Sequence, residues 1–269
     1  MRVLVTGAAG SIGRVVTLGL CERGHEVVGL DLVPEPEGFT GNWHTVDCSD
    51  PEAVRAVFAD EHLDGVVHLA GIPDERDLPT ELTSHVITTA ALLDAMVEHR
   101  VTRMVYASSN HAVGRSPRPA EGHGPVSDDA LPRPDTFYGV AKVAAEALLR
   151  LYADRHSIDA ISCRIGSFLP EPATHRNLAT WLSPDDAVRM VEAALTAAAP
   201  GYAVVYGISN NADAWWDLEP GRRLGYEPQD DAATYRDGIE PRDEDEMEAA
   251  HVGGPFAGPE FYRPALDLG

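Results

Sequence analysis

The sequence predicts an α/β fold, a doubly wound parallel sheet. Three observations carry that expectation. Short β-branched runs alternate with longer segments of helical periodicity, a glycine-rich turn joins the first run to the first helical segment, and the alternation continues to about residue 207. Residues 3–6 form the first strand and 11–23 the first helix, residues 27–31 the second strand and 45–47 a short third. Asp50 and Pro51 open the next helix, an N-cap followed by a proline in the first turn, running to residue 59. Residues 66–69 are the fourth strand, 82–100 a helix, 103–108 the fifth strand, 137–155 a long helix and 160–164 the sixth strand.

Two segments depart from the alternation. Residues 115–136 hold Pro117, Pro119, Pro125, Pro132 and Pro134, which no long helix or central strand accommodates. They lie before the long helix and read either as a lid or pocket wall over the strand ends or as a passive surface loop. From residue 185 a helix to 198, a strand over 203–207 and an irregular acidic tail predict a small C-terminal lobe. The expected division is a dinucleotide-binding part over 1–165 and a mainly substrate-binding lobe over 166–269. The helix at 185–198 and the strand at 203–207 would return to the first part. The run Asp243-Glu244-Asp245-Glu246 reads as a solvated face.

With 269 residues, 44% of them hydrophobic, the chain can bury a sizeable core. Its formal charge of −22 repels phosphate backbones and anionic lipid, so neither nucleic acid nor a membrane is an expected partner. Acid excess with arginine in place of lysine fits salt tolerance or a GC-rich genome equally. Cys21, Cys48 and Cys163 are far apart and make no metal-ligand spacing, so no metal site is expected. The odd count, and an N-terminus that enters a strand at once, predict reduced thiols in the cytoplasm.

Gly7, Gly10 and Gly13 space a GxxGxxG turn between the first strand and the first helix. The first two glycines permit a tight turn and close backbone approach, and the third lets helix pack on strand, so the helix N-terminus faces a pyrophosphate. Ser11 and Ile12 open that helix. Asp31 ends the second strand, where a carboxylate accepts from ribose hydroxyls and repels a 2′-phosphate. Leu32 follows where an NADP site would favour arginine, so NAD is the expected cofactor of this Rossmann arrangement. Arg14 is the one basic residue near the turn. A plain turn aspartate is the competing role for Asp31.

The only lysine in the chain, Lys142, stands four residues after Tyr138, while the other 20 basic residues are arginine. A phenol has a pKa of about 10 and is a poor proton acceptor near neutrality. An ammonium one helical turn away on the same face favours the phenolate and has donors left for a ribose hydroxyl. The competing role is an ordinary surface lysine.

The glycine turn, Asp31, Asp47-Cys48, Leu69-Ala70-Gly71, Ser108-Ser109 and Tyr138 with Lys142 together resemble an extended short-chain dehydrogenase/reductase, within the NAD-dependent epimerase/dehydratase group. Ser108 to Gly114, Arg133-Pro134-Asp135, Arg164 to Ser167, Pro170-Glu171-Pro172, Thr180-Trp181 and Trp215-Trp216-Asp217 are similar to uronate dehydrogenases over nearly the whole chain. That resemblance implies NAD-dependent oxidation of the anomeric carbon of glucuronate or galacturonate to an aldarolactone. It makes Tyr138 the general base, Lys142 its partner and Ser109 the residue holding the reacting hydroxyl. Ser109, Asn110, His111, Ser167 and Arg176 would bind the sugar acid. Gly7, Gly10, Ser11, Ile12, Gly13, Asp31, Leu32, Asp47, Cys48, Leu69, Ala70, Gly71, Tyr138, Lys142 and Phe168 would line the dinucleotide. It also implies a homo-oligomer, dimer or higher, joined through the helices at 82–100 and 137–155.

The chain departs from that pattern at Pro73, where those enzymes tend to have a substrate-touching serine, and at His85, where they usually have asparagine. Arg176 can anchor a carboxylate or a sugar phosphate such as glucose 6-phosphate through two parallel hydrogen bonds, or it can serve a structural salt bridge. His111 reads as a polar pocket lining or a core hydrogen bond, and Trp215 and Trp216 as a sugar platform or as core or interface anchors. A nucleotide-sugar epimerase or dehydratase, and a non-catalytic dinucleotide sensor, are the rival functions.

Overall fold

The computed structural model describes residues 1–120 and 123–266. Seven strands form one parallel sheet: β1 (Arg2–Thr6), β2 (Glu26–Asp31), β3 (Asn42–Thr45), β4 (Gly65–His68), β5 (Arg103–Ser109), β6 (Asp159–Ile165) and β9 (Tyr202–Gly207). Their order across the sheet is β3-β2-β1-β4-β5-β6-β9. The order reverses between β1 and β4, whose partners run Val3↔Gly65 to Thr6↔His68, and the crevice for a ligand opens at that point. The central strands are buried on both faces, which is why they read as apolar runs rather than alternations.

One face is covered by α1 (Ser11–Glu22) and α7 (Pro184–Thr196), through Val16, Leu20, Met190 and Val191. The other is covered by α2 (Pro51–Asp60), α4 (Thr88–His99) and α5 (Phe137–His156), through Val54, Phe58, Leu92, Met96 and Leu149. The expected N-cap at Asp50 is present, accepting from the amides of Glu52 and Ala53; α7 starts at Pro184, one residue before the expected 185, because Ser183 caps it by accepting from Asp186 N.

After β6, a two-stranded parallel sheet forms from β7 (Ser167–Phe168) and β8 (Trp181–Leu182), with α6 (Asn177–Thr180) between them. The strand at 202–207 joins the main sheet beside β6, and the short α8 (Glu219–Arg223) follows it. The proline-rich segment 115–136, of which residues 121 and 122 lie outside the described part, is tied down in its middle. Val126 bridges Trp216, and Tyr206 Oη donates to the Ser127 carbonyl.

Three expectations need correction. The third strand lies at Asn42–Thr45, not 45–47. Gly29 leaves room there, since a Cβ on it would sit 2.3 Å from the Trp43 ring, and the pairing Asp31↔Thr45 ends the ladder. The helix expected from residue 82 begins at α3 (Leu78–Glu81), where the Asp77 side chain accepts from Thr80 N. It passes through a widened π turn, Leu82–Ile87, before α4. The acidic run 243–246 is not wholly a solvated face: Asp245 opens α9 (Asp245–Glu248) and pairs with Arg242 at 2.8 Å and His175 at 2.9 Å.

Candidate active site

The turn between β1 and α1 is built for backbone approach. Gly7 has φ +66°, and a Cβ on Gly13 would lie 2.0 Å from the Gly7 carbonyl oxygen. The first turn of α1 has no side-chain cap and no acidic residue, so its amides point outward uncompensated. Asp31 braces this loop: Oδ2 accepts from Ala9 N at 2.9 Å and Oδ1 from Leu32 N at 2.7 Å. A cleft of about 790 Å³ opens beside it, lined among others by Gly7, Gly10, Asp31, Leu32, Asp47, Cys48, Leu69, Ala70 and Gly71. Ser11, Ile12 and Gly13 form the head of α1 at its edge, and Phe168 lies on β7, half-buried against the sheet core. Glycines that no Cβ could replace, open helix amides and a carboxylate at the end of β2 fit a dinucleotide. Burial pushes the Cys48 thiol up to about 12, so it is a neutral wall of the cleft.

Tyr138 and Lys142 project from the start of α5. The helix is set by Thr136, whose hydroxyl accepts from Gly139 N, and by Glu75, whose carboxylate accepts from the amides of Phe137 and Tyr138 at 2.8 and 2.9 Å. Ser109 Oγ donates to Asn110 Oδ1 at 3.3 Å and accepts from His111 N at 3.2 Å, and its hydroxyl acts on the Tyr138 phenol. Lys142 Nζ donates to the Ala107 carbonyl at 2.7 Å and lies 5.2 Å from the Tyr138 ring centre. The expectation that Lys142 lowers the phenol's pKa needs revision for the protein alone. Burial pushes Tyr138 up to about 12, against the lowering effect of Ser109, and the charges of Glu81 and Asp135 add to the rise. Burial pulls Lys142 itself down to about 7. The ammonium is aimed at a backbone carbonyl and lies over the ring, and desolvation of both groups outweighs their attraction.

The remaining polar residues converge on the Val252 carbonyl. It accepts from Asn110 Nδ2 at 3.2 Å and from an Arg176 guanidinium nitrogen at 2.8 Å, while the other terminal nitrogen of Arg176 donates to Ser167 Oγ at 3.2 Å. Arg176 Nε is buried without a partner, and among the described residues the guanidinium makes no ion pair. Burial lowers its pKa to about 10, although the charges of Glu248 and Asp135 work the other way. His111 Nδ1 lies 2.9 Å from the buried Asp135 carboxylate, and its ring packs edge-on against Phe256 at 4.8 Å. Trp215 and Trp216 are buried anchors: Trp216 stacks on Tyr206, and Arg118 lies over Trp215.

Sequence reasoning missed Glu75, Glu81, Asp135, Val252 and Phe256 as neighbours of these groups. One signal was available in the pair Gly253-Gly254. A Cβ on Gly253 would meet Asp135 Oδ2 at 1.6 Å, and one on Gly254 would meet Arg176 Nε at 2.3 Å. Of the two departures from the uronate dehydrogenase pattern, Pro73 is exposed. His85 is buried, its ring edge-on to Tyr138 at 5.1 Å, and its Nε2 lies 3.0 Å from the Ile72 carbonyl. Burial and the Lys142 charge pull His85 down to about 2, so it is a neutral imidazole with the proton on Nε2.

The NAD dependent epimerase/dehydratase family profile matches residues 3–177. A uronate dehydrogenase of Agrobacterium fabrum (strain C58) is 39% identical over 237 residues, 87% of each chain. The structure of a mutated uronate dehydrogenase from Agrobacterium tumefaciens complexed with NAD superposes with a TM-score of 0.88 at 36% identity, covering 98% of this chain and 99% of that one. An NAD-dependent glucose-6-phosphate dehydrogenase of Haloferax volcanii is 35% identical over 264 residues, 90% of this chain and 98% of its own. The chain belongs to the NAD dependent epimerase/dehydratase family, its cofactor is NAD, and it is similar to the uronate dehydrogenases over nearly its whole length.

Proposed function

We propose that this protein oxidises the anomeric carbon of a hexuronate, glucuronate or galacturonate, to an aldarolactone. One observation carries the substrate class. Arg176 is a largely buried guanidinium held by a hydroxyl and a carbonyl, with a third nitrogen unpartnered and no carboxylate paired to it among the described residues. A cation removed from water without a counter-ion is costly, and a ligand carboxylate supplies one.

Bound NAD is the hydride acceptor. Ser109 and the Tyr138 hydroxyl hold the anomeric hydroxyl between them, and Tyr138 Oη takes its proton. Lys142, charged beneath the phenol ring, stabilises the phenolate that this transfer needs. Its own pKa, lowered to about 7, leaves the lysine's charge finely balanced near neutrality, so what holds that charge bears on the phenol. The sugar ring stays closed, so the first product is a lactone. Asp135 orients His111, and Asn110 and Arg176 are fixed to one another through Val252. Since Ser167, Arg176 and Val252 all follow β6, the proposal includes a dinucleotide-binding part over 1–165 and a mainly substrate-binding lobe over 166–269, from which the helix at 185–198 and the strand at 203–207 return to the first part.

A cytoplasmic homo-oligomer belongs to the same reading. The three cysteines are free, and Ile87, Val97, Val140 and Leu151 are exposed on the helices expected to pair.

The Haloferax relative favours glucose 6-phosphate as the second reading, because a phosphate also satisfies Arg176. NAD reduction measured side by side with glucuronate, galacturonate, glucose and glucose 6-phosphate decides between them. The proposal expects the two uronates to be the preferred substrates, and preference for the phosphate or for neutral glucose defeats it.

A further inference from the structure

One buried carboxylate beside the reacting pair has no task in that reaction. Glu81, at the end of α3, is fully buried. Its Oε1 accepts from Arg76 N at 2.7 Å. Its Oε2 lies 3.3 Å from His85 Nε2, whose single proton goes to the Ile72 carbonyl at 3.0 Å, and it has no hydrogen-bond partner of its own. A carboxylate withdrawn from water with half its acceptor capacity unused needs a cation nearby.

The neighbouring charges narrow the choice to one. His85 is a neutral imidazole, held so by burial and by the Lys142 charge. The Arg76 guanidinium turns outward to Asp74 at 3.3 Å, and both side chains are exposed. Arg164 of β6 is taken by Glu146, to which it donates at 2.8 and 3.0 Å, and Ser108 donates to that same carboxylate. Lys142 is left. It is buried, donates a hydrogen bond to the Ala107 carbonyl, and makes no ion pair among the described residues. Its Nζ lies 4.9 and 5.2 Å from the Tyr106 and Tyr138 ring centres, and the His85 ring, 3.3 Å from Glu81 Oε2, packs edge-on to that same Tyr138 ring at 5.1 Å. The charges of Glu81 of α3 and Glu146 of its own helix act on it, and its own charge acts on His68 of β4. Glu81 alone among them offers an unclaimed negative charge.

We propose that Glu81 is the counter-ion of Lys142 and a positioning residue for the reaction, keeping the lysine charged where Tyr138 requires it. The proposal rests on the reading of Tyr138 and Lys142 as the reacting pair. Burial raises the pKa of Glu81 and lowers that of Lys142, and each charge acts to restore the other. Each charge therefore supports the other, and losing either makes the other harder to keep.

The test uses the single lysine. Protein grown on lysine carrying 13C at Cε gives one such resonance, and its pH titration, with NAD present, reads Lys142 directly. Glu81→Gln keeps an acceptor for Arg76 N and removes the charge. We expect its midpoint to fall by about one pH unit or more, and the alkaline limb of kcat/KM to move with it for whichever sugar the enzyme oxidises. Glu81→Asp keeps the charge and should titrate within about half a unit of the parent. A structural carboxylate would leave the Gln midpoint in place. A Gln variant within about 0.3 unit of the parent, or an Asp variant shifted as far as the Gln one, overturns the assignment. The resonance needs no sugar, so failure of uronate oxidation and failure of the counter-ion are separate results.

Discussion

Replacing Arg176 by alanine tests the substrate class most directly. The guanidinium spends one hydrogen bond of each terminal nitrogen on Ser167 and Val252, its Nε is buried without a partner, and among the described residues no carboxylate is paired to its charge, so a carboxylate meets it by charge-assisted bonds that neutral sugars lack. Hydrogen bonds to charged groups contribute roughly 1.5–3 kcal/mol each, so removing an anchor that holds a carboxylate at two points costs about 3 kcal/mol. At about 1.4 kcal/mol per tenfold, kcat/KM for a uronate should fall roughly 100- to 200-fold. The loss should lie mostly in KM, because the carboxylate is remote from the reacting carbon and is held alike before and during hydride transfer. A neutral aldose should lose less than about tenfold, the residue of a loosened Val252 and Ser167. Steady-state NADH formation over a series of uronate and aldose concentrations reads both numbers. Equal losses on the two sugars would refute the carboxylate anchor and leave Arg176 a structural tie between β7 and the C-terminal segment.

Tyr138→Phe should lower kcat by roughly 100- to 10,000-fold while NAD affinity, followed by fluorescence titration, stays near the parent value; retention of more than a few per cent of kcat removes Tyr138 as the base. Gly13→Ala drives a Cβ to 2.0 Å from a backbone carbonyl that cannot yield, so NAD binding should weaken at least about tenfold, and a binding isotherm unchanged from the parent would contradict the cradle. Acid sensitivity should centre on Glu61, whose carboxylate pKa burial alone would raise, but which hydrogen bonds from Arg2, His44 and Asn42 hold down at about 2. Its folded value lies below the unfolded one, so its contribution is full above the unfolded carboxylate range and is lost as pH falls toward about 2. Because its main partner Arg2 is partly open to water, which screens the pair, that contribution is on the order of 1–2 kcal/mol. Glu61→Gln should therefore be less stable at neutral pH, with the difference vanishing on acidification, in urea unfolding followed across pH.

The local code was the legible part of this chain. Gly7, Gly10 and Gly13, the cap at Asp50, the aspartate closing β2 and the Tyr138–Lys142 spacing each depend on neighbours within one or two turns, so the residue type states the geometry. The repeated alternation implies a doubly wound parallel sheet, while the order of its seven strands is a property of the fold. Where local propensity was weak, boundaries slipped. Asn42, Trp43 and His44 are no obvious strand, and only pairing with β2 beside Gly29 makes them one.

What needed the tertiary structure was the electrostatics of the site. Glu75 and Glu81 are acidic residues in an acid-rich chain, with nothing in their own neighbourhoods to distinguish them from solvated carboxylates, and the motif around Asp135 does not name its partner. Folding brings Glu75 to the first turn of α5, Asp135 to His111 and Glu81 into the same buried group as Lys142. Val252 reaches Asn110 across 142 residues of sequence. Whether a phenol and an ammonium attract or are each neutralised depends on how much water folding removes from them. That quantity is set by every element packed around the pair, and no spacing of two residues contains it.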